Sequence, residues 1–365
     1  MALQAQGVIA RTAGEPAQVE DFQVDDPGPG EVLVRIQASG VCHTDLMYRD
    51  GDVGEDFPYL LGHEGAGIVE AVGPDVQRPQ VGDYVILAWR APCGLCRFCG
   101  IGLLHLCSAS LNAEPRMRTQ DGKTLTPALG IGTFCTHTVV AASQAVPVPR
   151  EVPPAQACLI GCGVMTGVGA ALYTAQIRRG SSVAVFGCGG VGASVIQGAR
   201  LARARRIIAV DVAPKKLAWA REFGATDVID ARETDPEERI KALTDGNGVD
   251  YSFEAAGRVD TLEQALWSRD LAGTCVIIGV PAAGSSLRLD LPRYFGLGGA
   301  LRVSWYGDCL PSRDFPLLSD WYLRGELDLD NLVTRRIGLG DTEDAFHAMH
   351  GGETLRSVIV WEDGA

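Results

Sequence analysis

The sequence predicts a two-domain, soluble α/β protein from its length, its composition and one βαβ pattern near the middle of the chain. It has 365 residues, of which 46% are hydrophobic and 21% charged, with 45 glycines. Disordered chains are poorer in apolar residues and richer in charge, so these proportions indicate packed cores. A chain of this length is long for one core and suggests two domains.

The charge balance argues against some partners. With 32 Lys and Arg against 45 Asp and Glu, the net charge is -13, which disfavours nucleic acid and anionic membrane surfaces. The N-terminus lacks the features of a signal or transit peptide, so we expect a cytoplasmic protein. The uncharged run 152–177 is long enough to cross a bilayer, but its prolines, glutamines and glycines favour a buried core segment.

Four cysteines lie close together in the stretch APCGLCRFCGIGLLHLC, namely Cys93, Cys96, Cys99 and Cys107. A disulfide framework is not expected, because cytoplasmic thiols stay reduced. The C-x2-C-x2-C spacing with a fourth cysteine favours one tetrahedral zinc, and an iron–sulfur cluster or free thiols are the alternatives. A shell of four thiolates leaves no place for substrate, so this zinc is predicted to be structural.

Three further motifs suggest a second metal site. VCHTDL, LGHEGAG and IGCGVMTGVG contain Cys42, His63 and Cys162. A Cys₂His shell is the composition of a catalytic zinc whose fourth position takes water or substrate. The alternative is that both cysteines are small buried hydrophobic residues. That second interpretation is our expectation for Cys135, Cys158, Cys188, Cys275 and Cys309.

The segment 181–220 has the pattern of a dinucleotide-binding βαβ unit. An apolar run leads into G-x-G-x-x-G, a helical stretch follows, and a second apolar run ends at Asp211. The glycines of such a motif allow a tight turn and let the backbone approach a pyrophosphate at the helix N-terminus. The motif residues are Gly187, Gly189, Gly190, Val191 and Gly192. Later apolar runs alternate with helical patterns and are expected to complete a doubly wound sheet.

Asp211 predicts which dinucleotide is bound. Its carboxylate can accept hydrogen bonds from ribose hydroxyls but would repel a 2′-phosphate, so NAD is favoured over NADP. Lys215 and Lys216, just beyond it, would soften that preference; the alternative is that they form a solvated helix start.

Together these motifs resemble the zinc-containing medium-chain alcohol dehydrogenases. In that family the sequence GHE, here Gly62 to Glu64, supplies the histidine ligand, and Cys42 and Cys162 match the two thiolate ligands of the catalytic zinc. The resemblance implies two zinc ions per chain and NAD. It also implies a GroES-like β-rich catalytic domain over 1–163 and 307–365, with the zinc lobe at 91–107, around a Rossmann domain over 164–306. The zinc and the nicotinamide are then expected to meet between the domains.

The resemblance also assigns roles around the zinc. Thr44 matches a hydroxyl that starts a proton relay, but Met47 stands where many relatives have the next histidine of that relay. Asp45 is expected to orient His63, with an ordinary helix N-terminal acid as the alternative. Glu64 lies beside the zinc in the family. Trp89 matches an aromatic wall of the substrate pocket, although a packed core tryptophan is the alternative.

Besides Asp211, four positions outside the glycine motif are expected to contact the cofactor. His43 and Arg356 match positions that hold the pyrophosphate in relatives, and Lys216 and Val280 complete the predicted cofactor contacts. The family further implies a homodimer or homotetramer with the nucleotide domain at the interface.

Within the family, the chain looks most like the mycothiol-dependent formaldehyde dehydrogenases. The strings CHTDLMYRDG, LNAEPRMRTQDGKTLTPALGIG, LIGCGVMTGVGAAL and SWYGDCLPSRDFP carry this similarity. It implies oxidation of S-(hydroxymethyl)mycothiol, a small-molecule thiol hemiacetal, with hydride transfer to NAD. The rival hypotheses are a general primary or aromatic alcohol dehydrogenase on the same zinc and, from another class, a non-catalytic module that binds NAD and zinc.

Overall fold

The computed structural model describes residues 2–361. The strands are β1 (Leu3–Ala10), β2 (Gln18–Val24), β3 (Glu31–Gly40), β4 (Tyr59–Leu60), β5 (Gly65–Val72), β6 (Tyr84–Leu87), β7 (Met117–Thr119), β8 (Thr126–Pro127), β9 (His137–Ala141), β10 (Ala145–Pro147), β11 (Ser182–Phe186), β12 (Arg206–Asp211), β13 (Asp227–Asp230), β14 (Val249–Glu254), β15 (Arg269–Ile277), β16 (Ala300–Val303), β17 (Val333–Ile337) and β18 (Arg356–Val360). The helices are α1 (His43–Asp50), α2 (Arg97–Gly100), α3 (Pro154–Leu159), α4 (Met165–Gly169), α5 (Gly190–Leu201), α6 (Pro214–Phe223), α7 (Pro236–Leu243), α8 (Val259–Trp267), α9 (Leu291–Leu297), α10 (Pro311–Leu323) and α11 (Thr342–His350).

One compact unit is formed by the two ends of the chain, Met1–Cys162 and Leu310–Ala365. It is rich in β-structure: one sheet has the order β7-β2-β1-β4-β8, and a second has the order β10-β6-β5-β3-β18-β17 with β9 also paired to β3. Strand β18 runs antiparallel to β3, with Val358 opposite Gly40. Strand β18, near the C-terminus, therefore pairs with β3, the strand that ends just before Cys42.

The second unit, Gly163–Cys309, is a parallel α/β sheet with the order β13-β12-β11-β14-β15-β16. Strand β11 is buried along its whole length, as the continuous apolar run before the glycine motif predicts. The strand order reverses at β11, with β12 on one side and β14 on the other. In open α/β sheets ligands bind beyond the carboxyl ends of the strands at such a point.

One helical run, Pro154–Thr174, is long and apolar enough to span a membrane by length and composition. It comprises α3, α4 and two π-helical turns, and 83% of its most apolar window is buried inside the protein. Burial against protein explains its composition, as expected for a core helix.

Candidate active site

Three segments of the first unit bring metal-binding side chains together. Cys42 caps the N-terminus of α1, His63 and Glu64 lie between β4 and β5, and Cys162 lies in the π-helical turn after α3. One ligand atom from each of these four side chains lies within 4.8 Å of the others. The predicted Cys₂His set therefore converges on one point, with the Glu64 carboxylate beside it.

Small residues make room for this cluster. Gly62 has φ = +93°, and a Cβ atom there would collide with the backbone nitrogen of Phe134. A Cβ atom at Gly40 would collide with the Glu64 carboxylate. The glycine of the GHE motif thus sets the backbone that delivers His63, and Gly40 leaves the space that Glu64 fills.

Asp45 binds the segments to one another. Its Oδ2 accepts a hydrogen bond from the Cys42 backbone N–H at 3.0 Å, and its Oδ1 accepts one from the Gly62 N–H at 3.1 Å. The same Oδ1 lies 2.7 Å from His63 Nδ1. Both side chains have an exposed fraction of 0%. Burial raises the pKa of Asp45, and the neighbouring His63 opposes that rise. The Asp45 carboxylate therefore orients the His63 ring, in addition to lying in the first turn of α1.

The imidazole of His63 is oriented for a ligand. Burial alone lowers its pKa, but Asp45 and Cys42 outweigh burial and raise the pKa well above the ordinary value. Its Nε2 atom is buried and has no hydrogen-bond partner among residues 2–361. When a metal ion displaces the Nε2 proton, the Nδ1–H can still donate to the Asp45 carboxylate, which is the usual arrangement of a zinc-bound histidine.

The two thiols of the cluster need a cation. Cys162, by its hydrogen bond, lowers the pKa of Cys42 well below the ordinary value, and Cys42 in turn raises the pKa of Cys162. Two partly buried thiolates side by side repel each other unless a metal compensates their charge. The donor set, the buried Nε2 atom and these thiols together fit a zinc ion.

Arg356 forms a buried ion pair with Glu64 inside the site. Burial raises the pKa of Glu64 to about 7, although the Arg356 charge opposes this. The arginine has an exposed fraction of 6% and starts strand β18. The Arg356 guanidinium thus pairs with the Glu64 carboxylate, a contact that the sequence analysis did not predict.

The other residues of this unit to which the sequence analysis gave a role differ in how far they are buried. Thr44 is partly buried, with its Oγ1 atom 4.0 Å from the Cys42 sulfur, whereas His43 is exposed. Met47 is partly buried on α1. Trp89 is partly buried and packs against the core cluster that contains Leu87, so packing is at least part of its role.

The four cysteines of the lobe also converge. Their sulfur atoms lie within 4.8 Å of one another, with the Cys96 sulfur 3.5 Å from that of Cys99 and 3.9 Å from that of Cys107. Tetrahedral zinc with Zn–S bonds of about 2.3 Å places its sulfurs about 3.8 Å apart. Backbone hydrogen bonds, first from Cys99, lower the pKa of Cys96 to about 5, and burial raises that of Cys99 to about 12. These distances fit a closed four-thiolate zinc shell.

In the second unit, the glycine motif forms the turn that its sequence predicts. Gly187 follows β11 with φ = +88°, and Gly189 caps the N-terminus of α5. A Cβ atom at Gly192 would collide with the carbonyl oxygen of Gly187, whereas one at Gly189 meets nothing within 4 Å. Gly192 therefore lets the helix pack on the turn, and Gly189 leaves its outer side open, as backbone approach to a pyrophosphate requires.

Asp211 lies at the carboxyl end of β12, next to this turn. Its Oδ2 accepts a hydrogen bond from the Cys188 N–H at 2.7 Å, and its Oδ1 accepts one from the Ala213 N–H at 2.9 Å. A carboxylate has about four acceptor positions, so it can accept further bonds from a ribose. Lys215 lies over the ring of Trp219 at 4.8 Å, while Lys216 is partly buried on α6. Val280, beyond β15, is 64% exposed.

Glu254 at the end of β14 is a residue that sequence reasoning missed. It is 1% exposed, and its Oε1 accepts hydrogen bonds from the backbone N–H groups of Ala256 and Gly257. A charged residue at the end of the buried run VDYSF was a signal that could have found it, because lone buried carboxylates are rare.

Comparison with known proteins accounts for both units. The alcohol dehydrogenase GroES-like domain matches residues 28–150, and the zinc-binding dehydrogenase domain matches residues 190–324. An S-(hydroxymethyl)glutathione dehydrogenase of Synechocystis is 39% identical over 368 residues, spanning 98% of this chain and 100% of its own length. The chain belongs to the zinc-containing medium-chain alcohol dehydrogenases. Its predicted fold class, a GroES-like catalytic domain with a Rossmann nucleotide domain, is confirmed.

Solved structures of the family agree. A zinc-binding alcohol dehydrogenase protein from Burkholderia ambifaria has a TM-score of 0.94 at 35% identity, covering 99% of this chain and 100% of its own. Benzyl alcohol dehydrogenase from Acinetobacter calcoaceticus has a TM-score of 0.92 at 30% identity, with the same coverage. The protein is thus an oxidoreductase that acts on CH–OH groups.

The cofactors of the family fit the two sites. A zinc-binding dehydrogenase from Sinorhizobium meliloti, solved with NADP, has a TM-score of 0.84 at 25% identity and covers 98% of this chain and 100% of its own. Together with the zinc-dehydrogenase domains and the cysteine cluster, this identifies zinc and a nicotinamide dinucleotide as the cofactors.

Proposed function

We propose that this dehydrogenase uses NAD to oxidise a hydroxymethyl adduct of a low-molecular-weight thiol, with S-(hydroxymethyl)mycothiol as its substrate. The observation that carries the catalytic part is the convergence of Cys42, Cys162 and the buried Nε2 of His63, which has no hydrogen-bond partner among the described residues. Cys42, His63 and Cys162 would hold a zinc ion, which would supply Lewis-acid chemistry for lowering the pKa of an alcohol hydroxyl or polarising an aldehyde carbonyl. Bound NAD would accept the hydride from the substrate carbon.

The proton of the substrate hydroxyl is assigned to Thr44. Its Oγ1 lies near the Cys42 sulfur, where it can accept a proton and pass one on through its own O–H. The Met47 side chain has no group that can accept and pass on a proton, so the side chain at that position cannot take part in proton release. Asp45 holds the His63 ring, and the exposed His43 is assigned to the pyrophosphate.

Two features support NAD and the thiol adduct. Asp211, with acceptor capacity left on both oxygens, favours an unphosphorylated ribose. The similarity to S-(hydroxymethyl)glutathione dehydrogenases supports a thiol hemiacetal as the substrate class, and the four sequence strings named above favour mycothiol as the thiol. We place the enzyme in the cytoplasm, as a homodimer or homotetramer.

A second candidate is oxidation of aromatic or other primary alcohols. It is favoured by the likeness to benzyl alcohol dehydrogenase, which extends over essentially the whole chain. The same zinc ligands and the same hydride transfer would serve this reaction, so only the substrate pocket distinguishes it.

Initial rates of NADH formation test both candidates. The enzyme is assayed with formaldehyde alone, with formaldehyde plus mycothiol, with formaldehyde plus glutathione, and with benzyl alcohol. We expect turnover only when mycothiol is present. Turnover with formaldehyde plus glutathione, but not with mycothiol, would mean that glutathione is the thiol and that the reaction class is unchanged. Turnover of benzyl alcohol without an effect of either thiol would favour the second candidate.

A further inference from the structure

Glu254 occupies a buried position at the switch point of the parallel sheet. It ends β14, where it lies opposite Phe186, the last residue of β11. The Gly187 turn begins at the next residue. No described residue forms an ion pair with this carboxylate, so its charge is balanced by hydrogen bonds alone.

Those hydrogen bonds come from the turn that follows β14 and from the first turn of α8. The Oε1 atom accepts from the backbone N–H groups of Ala256 and Gly257, each at 2.8 Å, and from the Thr261 hydroxyl at 2.8 Å. The Arg258 N–H adds a longer contact at 3.4 Å. One charged oxygen thus fixes the chain from the end of β14 into α8.

The turn held by Glu254 touches two segments at once. Ala255 donates its N–H to the Phe186 carbonyl at 2.8 Å, and a Cβ atom at Gly187 would lie 2.9 Å from the Ala256 nitrogen. On the other side, a Cβ atom at Gly257 would lie 2.7 Å from the Val280 oxygen. The carbonyl of Glu254 itself accepts from the Gly279 N–H at 3.0 Å.

We propose that Glu254 is a positioning residue for the dinucleotide. By fixing residues 255–257, it sets the spacing between the glycine-rich turn and the Gly279–Val280 segment. This inference rests on the proposed function, the use of NAD, and on the sequence predictions that the glycine-rich turn and Val280 contact that cofactor. Glu254 acts through them and does not itself touch the cofactor.

The test measures NADH affinity by fluorescence titration of the purified zinc enzyme. Glu254→Gln keeps the shape but replaces the charged acceptor, and we expect the Kd for NADH to rise about tenfold. The KM for NAD should rise in parallel, while kcat at saturating NAD and the KM for the alcohol change less than twofold. Asp260→Asn is the matched control, because this exposed carboxylate lies nearby in the first turn of α8, pairs with Arg258 and should leave the Kd within twofold.

A second pair of variants separates positioning from a folding defect. Thr261→Val removes one donor to Glu254 and should raise the Kd about threefold, whereas Thr261→Ser keeps the hydroxyl and should restore wild-type affinity. If Glu254→Gln does not fold, this pair decides the question. Wild-type affinity in Glu254→Gln or Thr261→Val overturns the inference alone. Failure of the wild-type enzyme to bind NADH overturns the proposed function together with this inference.

Discussion

At the scale of single residues, the chemistry depends on buried charges that are each matched to a partner. Asp45 shows this most directly, because one carboxylate contacts His63 and accepts hydrogen bonds from the backbone on both sides of the metal site. A ligand held in this way binds metal in one ring orientation and one tautomer.

Replacing Asp45 tests that role. Asp45→Asn should reduce kcat/KM by about 10- to 100-fold and speed zinc loss to a chelator, because the amide cannot hold Nδ1–H as firmly. Steady-state kinetics and zinc release followed with a coloured chelator measure the two effects. Asp50→Asn, an exposed acid on the same helix, is the control and should match wild type. Equal zinc release from both variants would mean that Asp45 is an ordinary helix N-terminal acid.

Arg356 and Glu64 form the second buried pair of opposite charges in the site. Arg356→Leu leaves Glu64 as an uncompensated buried charge, which typically costs about 3–5 kcal/mol. For a unit of this size, the unfolding temperature should fall by roughly 6 °C or more, as measured by scanning calorimetry. Arg324→Leu is the control: it removes an exposed ion pair with Asp320 and should change the unfolding temperature little. A similar unfolding temperature for both variants would show that the buried pair does not stabilise the protein.

At the scale of elements, local motifs were predictable and distant pairings were not. The glycine turn was predictable because strand, turn and helix follow one another directly in the sequence. By contrast, Arg356 and Glu64 are 292 positions apart, and nothing in either local sequence indicates that they meet. For the metal site, spacing left Cys42 and Cys162 ambiguous, and only the family resemblance brought them together with His63. Glu254 was missed because its partners are mainly backbone N–H groups, which no residue pattern identifies.

The second and third glycines of the motif, Gly189 and Gly192, should respond differently to the same substitution. Gly192→Ala should lower the unfolding temperature, because its Cβ atom collides with the Gly187 carbonyl. Gly189→Ala meets no protein atom and should keep the unfolding temperature, but it should weaken NADH binding by blocking backbone approach to the pyrophosphate. Calorimetry and NADH titration of both variants separate the effects. Unchanged NADH affinity in Gly189→Ala would place the pyrophosphate elsewhere.

The zinc lobe should behave as a metal-dependent element. Cys99→Ser removes one of four thiolates from a segment whose α2 helix has only four residues and buries none of them. Without the metal, little holds this segment in place, so limited proteolysis should cut within 91–112 faster than in wild type. Leu95→Ala, a change of a 91% exposed side chain in the same segment, is the control. Equal cleavage of Cys99→Ser and the control would show that the metal does not hold the lobe.

At the scale of the whole molecule, the protein combines a β-rich unit that holds metal with a parallel α/β unit that holds the nucleotide motif. Both cysteine clusters lie in the first unit, and the glycine motif lies entirely in the second. The two cofactors should therefore be separable by mutation. A change that removes the catalytic zinc need not alter the surface that binds NADH.

Zinc content provides the test of this separation. The wild-type chain should carry two zinc ions, one for each cluster. Cys162→Ala should carry one, lose turnover and still bind NADH with wild-type affinity, because it removes a ligand from the first unit alone. Elemental analysis, NADH titration and a turnover assay on the same preparation give the three values. Cys275→Ala, a buried thiol outside both clusters, should keep two zinc ions and turnover. Full turnover in Cys162→Ala would rule out the Cys₂His centre, and loss of NADH binding in that variant would show that the two sites depend on each other.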